Sequence, residues 1–116
     1  EGLRGVGVKV LNLCGNTTLP QLAACVARCR AVVSNDSAGL HLAVTQGIPT
    51  VGIMGGYHFG RWYPWGDPAI NRVANLPMPC YHCNNRCIYG DFRCVRDVAV
   101  EKVVEELHAA MTAKKA

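Results

Sequence analysis

Apolar positions along this chain alternate between strand-like and helix-like spacing, and the alternation sets out a βα order. Val6 to Leu13 is rich in Val and Leu and reads as a first strand, closed by the turn Cys14-Gly15-Asn16-Thr17. Leu19, Leu22, Ala23, Val26 and Ala27 then follow helical spacing, predicting an amphipathic helix from Leu19 to Arg30. Thr18 and Gln21 have capping-box spacing at its start, and Pro20 is tolerated in a first turn. Ala31-Val32-Val33-Ser34 is a short apolar strand that runs into polar Asn35-Asp36-Ser37. A second helix is expected from Ala38 to Gln46, with Gly47 as its C-terminal cap and Pro49 as its stop. Thr50 to Met54 reads as a third strand, ending in Gly55-Gly56. This β-α-β-α-β order with short connections predicts an α/β fold with a parallel sheet and right-handed crossovers. After Tyr57 the periodicity weakens. Asn71 to Asn75 is a further short strand candidate. Asp97 is placed to cap a last helix from Val98 to Met111, with Val100, Val103, Val104, Leu107 and Met111 on one face.

Composition supports a globular reading. Of the 116 residues, 50% are apolar and 17% charged, enough for one domain with one core and too apolar for a disordered chain. No apolar run approaches the ~18 residues of a membrane span. The chain opens on Glu1-Gly2-Leu3-Arg4-Gly5, without Met and without a charged-then-apolar leader, so a piece of a longer protein lacking a signal peptide is expected. The net charge is +4, with Lys and Arg scattered. A nucleic-acid face usually carries a denser basic stripe, so no nucleic-acid partner is expected.

The chemistry concentrates at Asp36 to His41. In open parallel sheets, ligands bind beyond the C-terminal ends of the strands. Asp36-Ser37-Ala38-Gly39 stands at such an end and opens a helix, whose first N–H groups are unpaired and partly positive. Small residues there let a phosphate come close, and Ser37 adds a hydroxyl. His41 lies about one turn further in. Asp36 is placed to orient backbone or sugar hydroxyls. The plain alternative is a helix cap, a common structural use of Asp and Ser.

The stretch Val32-Val33-Ser34-Asn35-Asp36-Ser37-Ala38-Gly39-Leu40-His41-Leu42-Ala43, followed by Gly47-Ile48-Pro49-Thr50-Val51, resembles glycosyltransferase family 9, the heptosyltransferases of lipopolysaccharide assembly. Leu11 to Ala23 and the tail with its cysteines and Val103, Val104 and Leu107 are similar to that family as well. The resemblance implies a glycosyltransferase B architecture, two Rossmann-like domains facing across a cleft. This chain would be the partial C-terminal, nucleotide-sugar-binding domain, residues 1–116 with a Cys-rich loop at 77–96. It further implies that Asp36 contacts the donor sugar, that Ser37, Ala38 and Gly39 hold the diphosphate, and that His41 sits against it. Thr17 falls near the base, and Gly55 in a loop that shapes the pocket. Ala38 stands where the family more often has Gly, and Asn16 where it has a basic residue. The implied donor is ADP-heptose and the acceptor a lipopolysaccharide core or another lipid-linked glycan. No cofactor is needed for that transfer. The catalytic carboxylate is expected in an N-terminal domain outside this chain, so no catalytic residue is assigned and the chain alone is expected to be inactive. A cytoplasmic location, peripheral at the inner membrane, and self-association through an uncovered sheet edge are also expected.

Four of the seven cysteines cluster as Cys80-x2-Cys83-x3-Cys87-x6-Cys94. Zinc and iron both accept four thiolates, and His82 is a substitute ligand. The same residues also fit reduced thiols, or disulfides in an oxidised setting. Cys14, Cys25 and Cys29 read as small buried residues. Trp62, Tyr63 and Trp65 fit either a sugar platform or a core cover, and packing is the commoner use. Arg61 is within sequence reach of a phosphate but reads as a surface residue. Two other classes remain open: a non-catalytic nucleotide-sugar-binding module, and a metal-stabilised nucleic-acid-binding domain.

Overall fold

In the computed structural model, which describes residues 7–115, the first regular element is a helix, α1 (Leu19–Ala27). Its start is the capping box read from the sequence. The Thr18 side chain accepts from Gln21 N at 3.4 Å, and the Gln21 side chain accepts from Thr18 N at 2.9 Å. The helix ends at Ala27, one turn earlier than its apolar spacing implies. The extended segment β1 (Val32–Asn35) then leads into α2 (Ala38–Thr45), β2 (Thr50–Met54) and a single 3-10 turn at Gly56–His58. Gly47 takes the left-handed conformation (φ +64°) just past α2, the position where glycine ends a helix at least cost. β3 (Asn71–Asn75) follows the aromatic loop. A short α3 (Arg93–Arg96) precedes α4 (Val100–Lys115).

The three strands form a parallel sheet in the order β1-β2-β3, with Val33 opposite Val51 and Val51 opposite Arg72. β2 is central and buried almost throughout, as expected of an inner parallel strand covered on both faces. Side chains alternate between those faces. Gly52 and Met54 meet Leu40, Val44 and Tyr63, and Val73 joins them from β3. Arg72, beside Val51, turns the other way and pairs with Glu106 of α4, which packs on β2 and β3. The result is three layers: α2 with Tyr63, the sheet, and α4. A second cluster, Val26, Ala43 and Ile48, fixes α1 against α2.

Several expectations need correction. The strand expected over Val6 to Leu13 does not form: residues 7–13 are irregular, and Val6 lies outside the described residues. Val8, Val10 and Leu11 are exposed, and the segment does not pair with the free edge of β1. Cys14, Cys25 and Cys29 are exposed, not buried. α1 is short and covered on one side only, which leaves Cys25 in solvent, and Cys29 lies just past its end. Asp97 closes α3 and pairs with Arg96 at 2.6 Å, and α4 begins at Val100. The buried stripe of α4 centres on Glu106 and Ala110, with Val100 and Val104 exposed. The Arg72 partner draws Glu106 inward and rotates the helix from its purely apolar face.

Candidate functional site

β1 stops at Asn35 and α2 starts at Ala38, so Asp36 and Ser37 form the turn between strand end and helix. Ser37 is the N-cap, with extended backbone (φ −153°, ψ 168°), yet its side chain makes no capping hydrogen bond. Its hydroxyl lies instead 2.8 Å from that of Ser34. The Ser37 carbonyl accepts from Leu40 N and His41 N. Among the described residues, the N–H groups of Ala38 and Gly39 have no acceptor. A Cβ built on Gly39 would meet only the Ser37 hydroxyl, at 3.9 Å, so the approach to these donors is open. Two unpaired N–H groups at a helix start are an anion site, typically worth about 0.3–1 kcal/mol to a charged partner.

His41 is fixed on both sides. Its Nε2 lies 3.2 Å from Asp36 Oδ1, and its Nδ1 lies 2.9 Å from Trp65 Nε1. An indole N–H only donates. Nδ1 therefore accepts and carries no proton, and the ring proton sits on Nε2, donated to the Asp36 carboxylate. The His41 and Trp65 rings lie nearly parallel, 14° apart, with centroids 6.1 Å from each other. Trp65 is held in turn from the core. Asn71 Nδ2 donates to the Trp65 carbonyl at 3.1 Å, and Asn71 Oδ1 accepts from the Thr50 hydroxyl at 3.0 Å. A continuous path thus runs from the buried start of β2 to Asp36. Asp36 is 15% exposed and His41 35%, so both can reach a ligand at the surface.

Gly55 follows β2, and a Cβ there would run into the Tyr57 ring and Val95. Glycine is required for Tyr57 to fold down over this turn. Burial raises the Tyr57 phenol above its ordinary value, and the Asp36 carboxylate and the Cys94 thiol nearby raise it further. The Tyr57 phenol therefore lies within electrostatic reach of Asp36. Of the residues singled out in the sequence, Asp36, Ser37, Ala38, Gly39 and His41 form one corner, and Gly55 follows β2, the strand beside β1. Thr17 lies half-buried ahead of α1 and makes no side-chain hydrogen bond among the described residues.

Three contributors were not assigned to the site from the sequence: Ser34, Tyr57 and Trp65. Ser34 and Ser37 are three apart, which is a usable signal. The placement of Trp65, 24 residues from His41, depends on the path of the aromatic loop, and no spacing rule foresees it. That loop divides its aromatics. Tyr63 is fully buried, its hydroxyl donating to the Arg72 carbonyl at 2.8 Å, while Trp62 and Trp65 remain exposed.

Cys80, Cys83, Cys87 and Cys94 all border one small enclosed cavity, together with Gly56, Tyr57, Tyr89 and Arg93. Their thiols are free. The backbone N–H group of Phe92, and then those of Tyr89, Gly90 and Asp91, lie near Cys87 and hold its thiol below the ordinary range. Gly56 N donates to Cys94 Sγ at 3.5 Å. Asp91 is held down to about 2 by its hydrogen bonds to Arg93 and then to Arg96.

Residues 2–89 match the family model described as glycosyltransferase family 9 (heptosyltransferase). The chain is 32% identical over 111 residues to lipooligosaccharide heptosyltransferase 2 of Campylobacter jejuni, an alignment covering 95% of this chain and 35% of that protein. It is 31% identical over 105 residues to lipopolysaccharide heptosyltransferase 2 of Salmonella typhimurium, covering 87% and 29%. Against the lipopolysaccharide core heptosyltransferase OpsX of Haemophilus influenzae it is 43% identical over 56 residues, covering 48% and 16%. The chain spans about a third of the length of the first two relatives. No solved structure matches it significantly.

Proposed function

This chain belongs to glycosyltransferase family 9, and from that membership we propose that it is the donor-binding part of a glycosyltransferase that moves heptose from ADP-heptose to a lipopolysaccharide-core acceptor. The observation that carries the proposal is the turn at Asp36 to His41. It combines two unpaired N–H groups, a hydroxyl, a carboxylate and an oriented imidazole beyond a parallel strand. In the proposed reaction an acceptor hydroxyl attacks the anomeric carbon of the sugar, and the bond from that carbon to the diphosphate breaks. Negative charge grows on the departing diphosphate. The N–H groups of Ala38 and Gly39, preset at the helix start, stabilise that charge without reorganising.

Asp36 takes a different part. A carboxylate beside a diphosphate repels it, whereas sugar hydroxyls donate to it, so its second oxygen is assigned to the sugar. His41 holds Asp36 in that orientation. The base that accepts the acceptor's proton is assigned to a second domain across the cleft, and residues 1–116 alone are expected to transfer no sugar. The proposed setting is the cytoplasmic face of the inner membrane. No described helix is long and apolar enough to cross a membrane.

Titration calorimetry with ADP, ADP-heptose and a short DNA duplex tests the proposal. Heat with both nucleotides is the expected result, with the affinity for ADP-heptose reduced about tenfold or more by Asp36→Ala and by His41→Ala. Salt-dependent binding of the duplex alone would refute the reading.

A further inference from the structure

From Leu76 to Phe92 the chain forms neither helix nor strand. Such a long irregular stretch inside a folded unit needs something to hold it. It holds four non-glycine residues in the left-handed region, His82 (φ 67°), Asn84 (φ 49°), Asn85 (φ 64°) and Phe92 (φ 49°). Asn tolerates this conformation, while His and Phe adopt it only where their surroundings fix it. Tyr81 packs on Gly56 and Phe59 near the start of the segment, but hydrophobic packing does not hold its later part, where Ile88, Tyr89 and Phe92 are all exposed. The shared feature of the segment is the cavity that Cys80, Cys83, Cys87 and Cys94 line together. It offers ≈ 10 Å³ to the centre of a water-sized sphere, room for one small ion.

We propose that Cys80, Cys83, Cys87 and Cys94 bind one tetrahedral metal ion of the four-thiolate class, zinc or iron, and that this ion pins the irregular segment beneath the turn following β2. Among the described residues no three candidate ligands already converge at ligand distance. Binding therefore includes side-chain rotation that draws the four sulfurs inward around the cavity. Each thiol that binds releases its proton to solvent. The Gly56 N–H that donates to Cys94 Sγ supplies an outer-sphere hydrogen bond of the kind such sulfurs usually receive.

The position gives the ion a structural consequence. His82 N donates to the Gly56 carbonyl at 2.7 Å, and Asn84 N to the Tyr57 carbonyl at 3.2 Å. The cysteine segment thereby carries the Gly56–Tyr57 turn that follows β2. The ion touches no substrate and takes no part in sugar transfer. This inference stands whether or not the chain binds a nucleotide sugar.

The test is metal analysis of the 116-residue chain purified without chelator, followed by cobalt(II) titration of the metal-free protein. We expect about one equivalent of metal per chain, colourless if zinc and coloured if iron. Cobalt should give the strong visible bands of a tetrahedral thiolate site. Cys87→Ser and Cys94→Ser should weaken those bands, whereas Cys14→Ser, Cys25→Ser and Cys29→Ser should leave them unchanged. Chelation should lower the thermal midpoint by about 10 °C or more. Should the cluster variants fail to fold, the cobalt titration of the unsubstituted chain still decides. Absence of thiolate–cobalt bands would overturn the proposal. So would unreduced mass spectrometry showing disulfides among the four cysteines, or equal loss of the bands in the Cys14, Cys25 and Cys29 variants.

Discussion

His41 shows how a single side chain is tuned by its partners. Trp65 can only donate, so it forces the imidazole to keep its proton on Nε2 and give it to Asp36. Trp65→Phe keeps an aromatic ring and removes the donor. We expect nitrogen NMR to show the single Nε2–H form in the unsubstituted chain and a mixture of tautomers in the variant. ADP-heptose affinity should fall severalfold in the variant; an unchanged tautomer would contradict the assignment. A second residue-scale case is Glu106, buried and paired with both Arg72 and Lys102. Burial pushes its carboxyl up, but the hydrogen bonds from Lys102 and Arg72 outweigh that and hold it below 4.5. A lowered folded value means that its stabilisation is complete above about pH 4.5 and is lost as pH falls through the lower folded value. Glu106→Gln should cost about 1–3 kcal/mol at neutral pH and flatten the acid limb of thermal melts taken against pH. Asp36 and His41 were legible in the sequence because they lie five residues apart across one strand-to-helix junction. Trp65 and Glu106 were not, since each acquires its role from a residue far along the chain.

At the scale of elements, β2 was legible to the residue. Thr50-Val51-Gly52-Ile53-Met54 is an apolar run of strand length between turn signals, and the structure buries it between two helical layers. Its glycine has a packing reason that the sequence does not display. A Cβ on Gly52 would lie 2.7 and 2.9 Å from atoms of the Tyr63 ring and 3.1 Å from Leu40. Because that ring is fully buried and tied by its hydroxyl to β3, it cannot swing away. Gly52→Ala should therefore destabilise the chain by about 1–3 kcal/mol in denaturant titrations. A neutral or stabilising result would show that Tyr63 is freer than the packing implies. α4 shows the limit of reading elements by periodicity. Its valines repeat at helical spacing, but the ion pair of Glu106 with Arg72 sets which face turns inward. The Val6–Leu13 segment fails for a related reason. Its composition suits a strand, yet strand formation also requires pairing, and it does not pair with the free edge of β1.

For the molecule as a whole, a three-layer α/β unit places the donor corner where β1 meets α2 and carries the cysteine segment behind it. The radius of gyration, 15.0 Å, exceeds the roughly 13 Å of a tightly packed unit of about this length. The surplus agrees with apolar surface left in solvent, with Val8 68% and Leu11 78% exposed beside half-exposed Val10. Such surface favours association. Sedimentation velocity should show mass rising with concentration, and Leu11→Ser should shift the distribution toward monomer. A single monomeric species at all concentrations would contradict this.

The most direct test of donor binding at the Asp36–His41 turn is backbone amide NMR of the chain titrated with ADP. The largest shifts should fall on Ala38 and Gly39, with His41 following, and they should vanish in Asp36→Ala only if that variant also loses the helix start. Shifts confined to other segments, with Ala38 and Gly39 unmoved at saturation, would show that the turn does not hold the diphosphate.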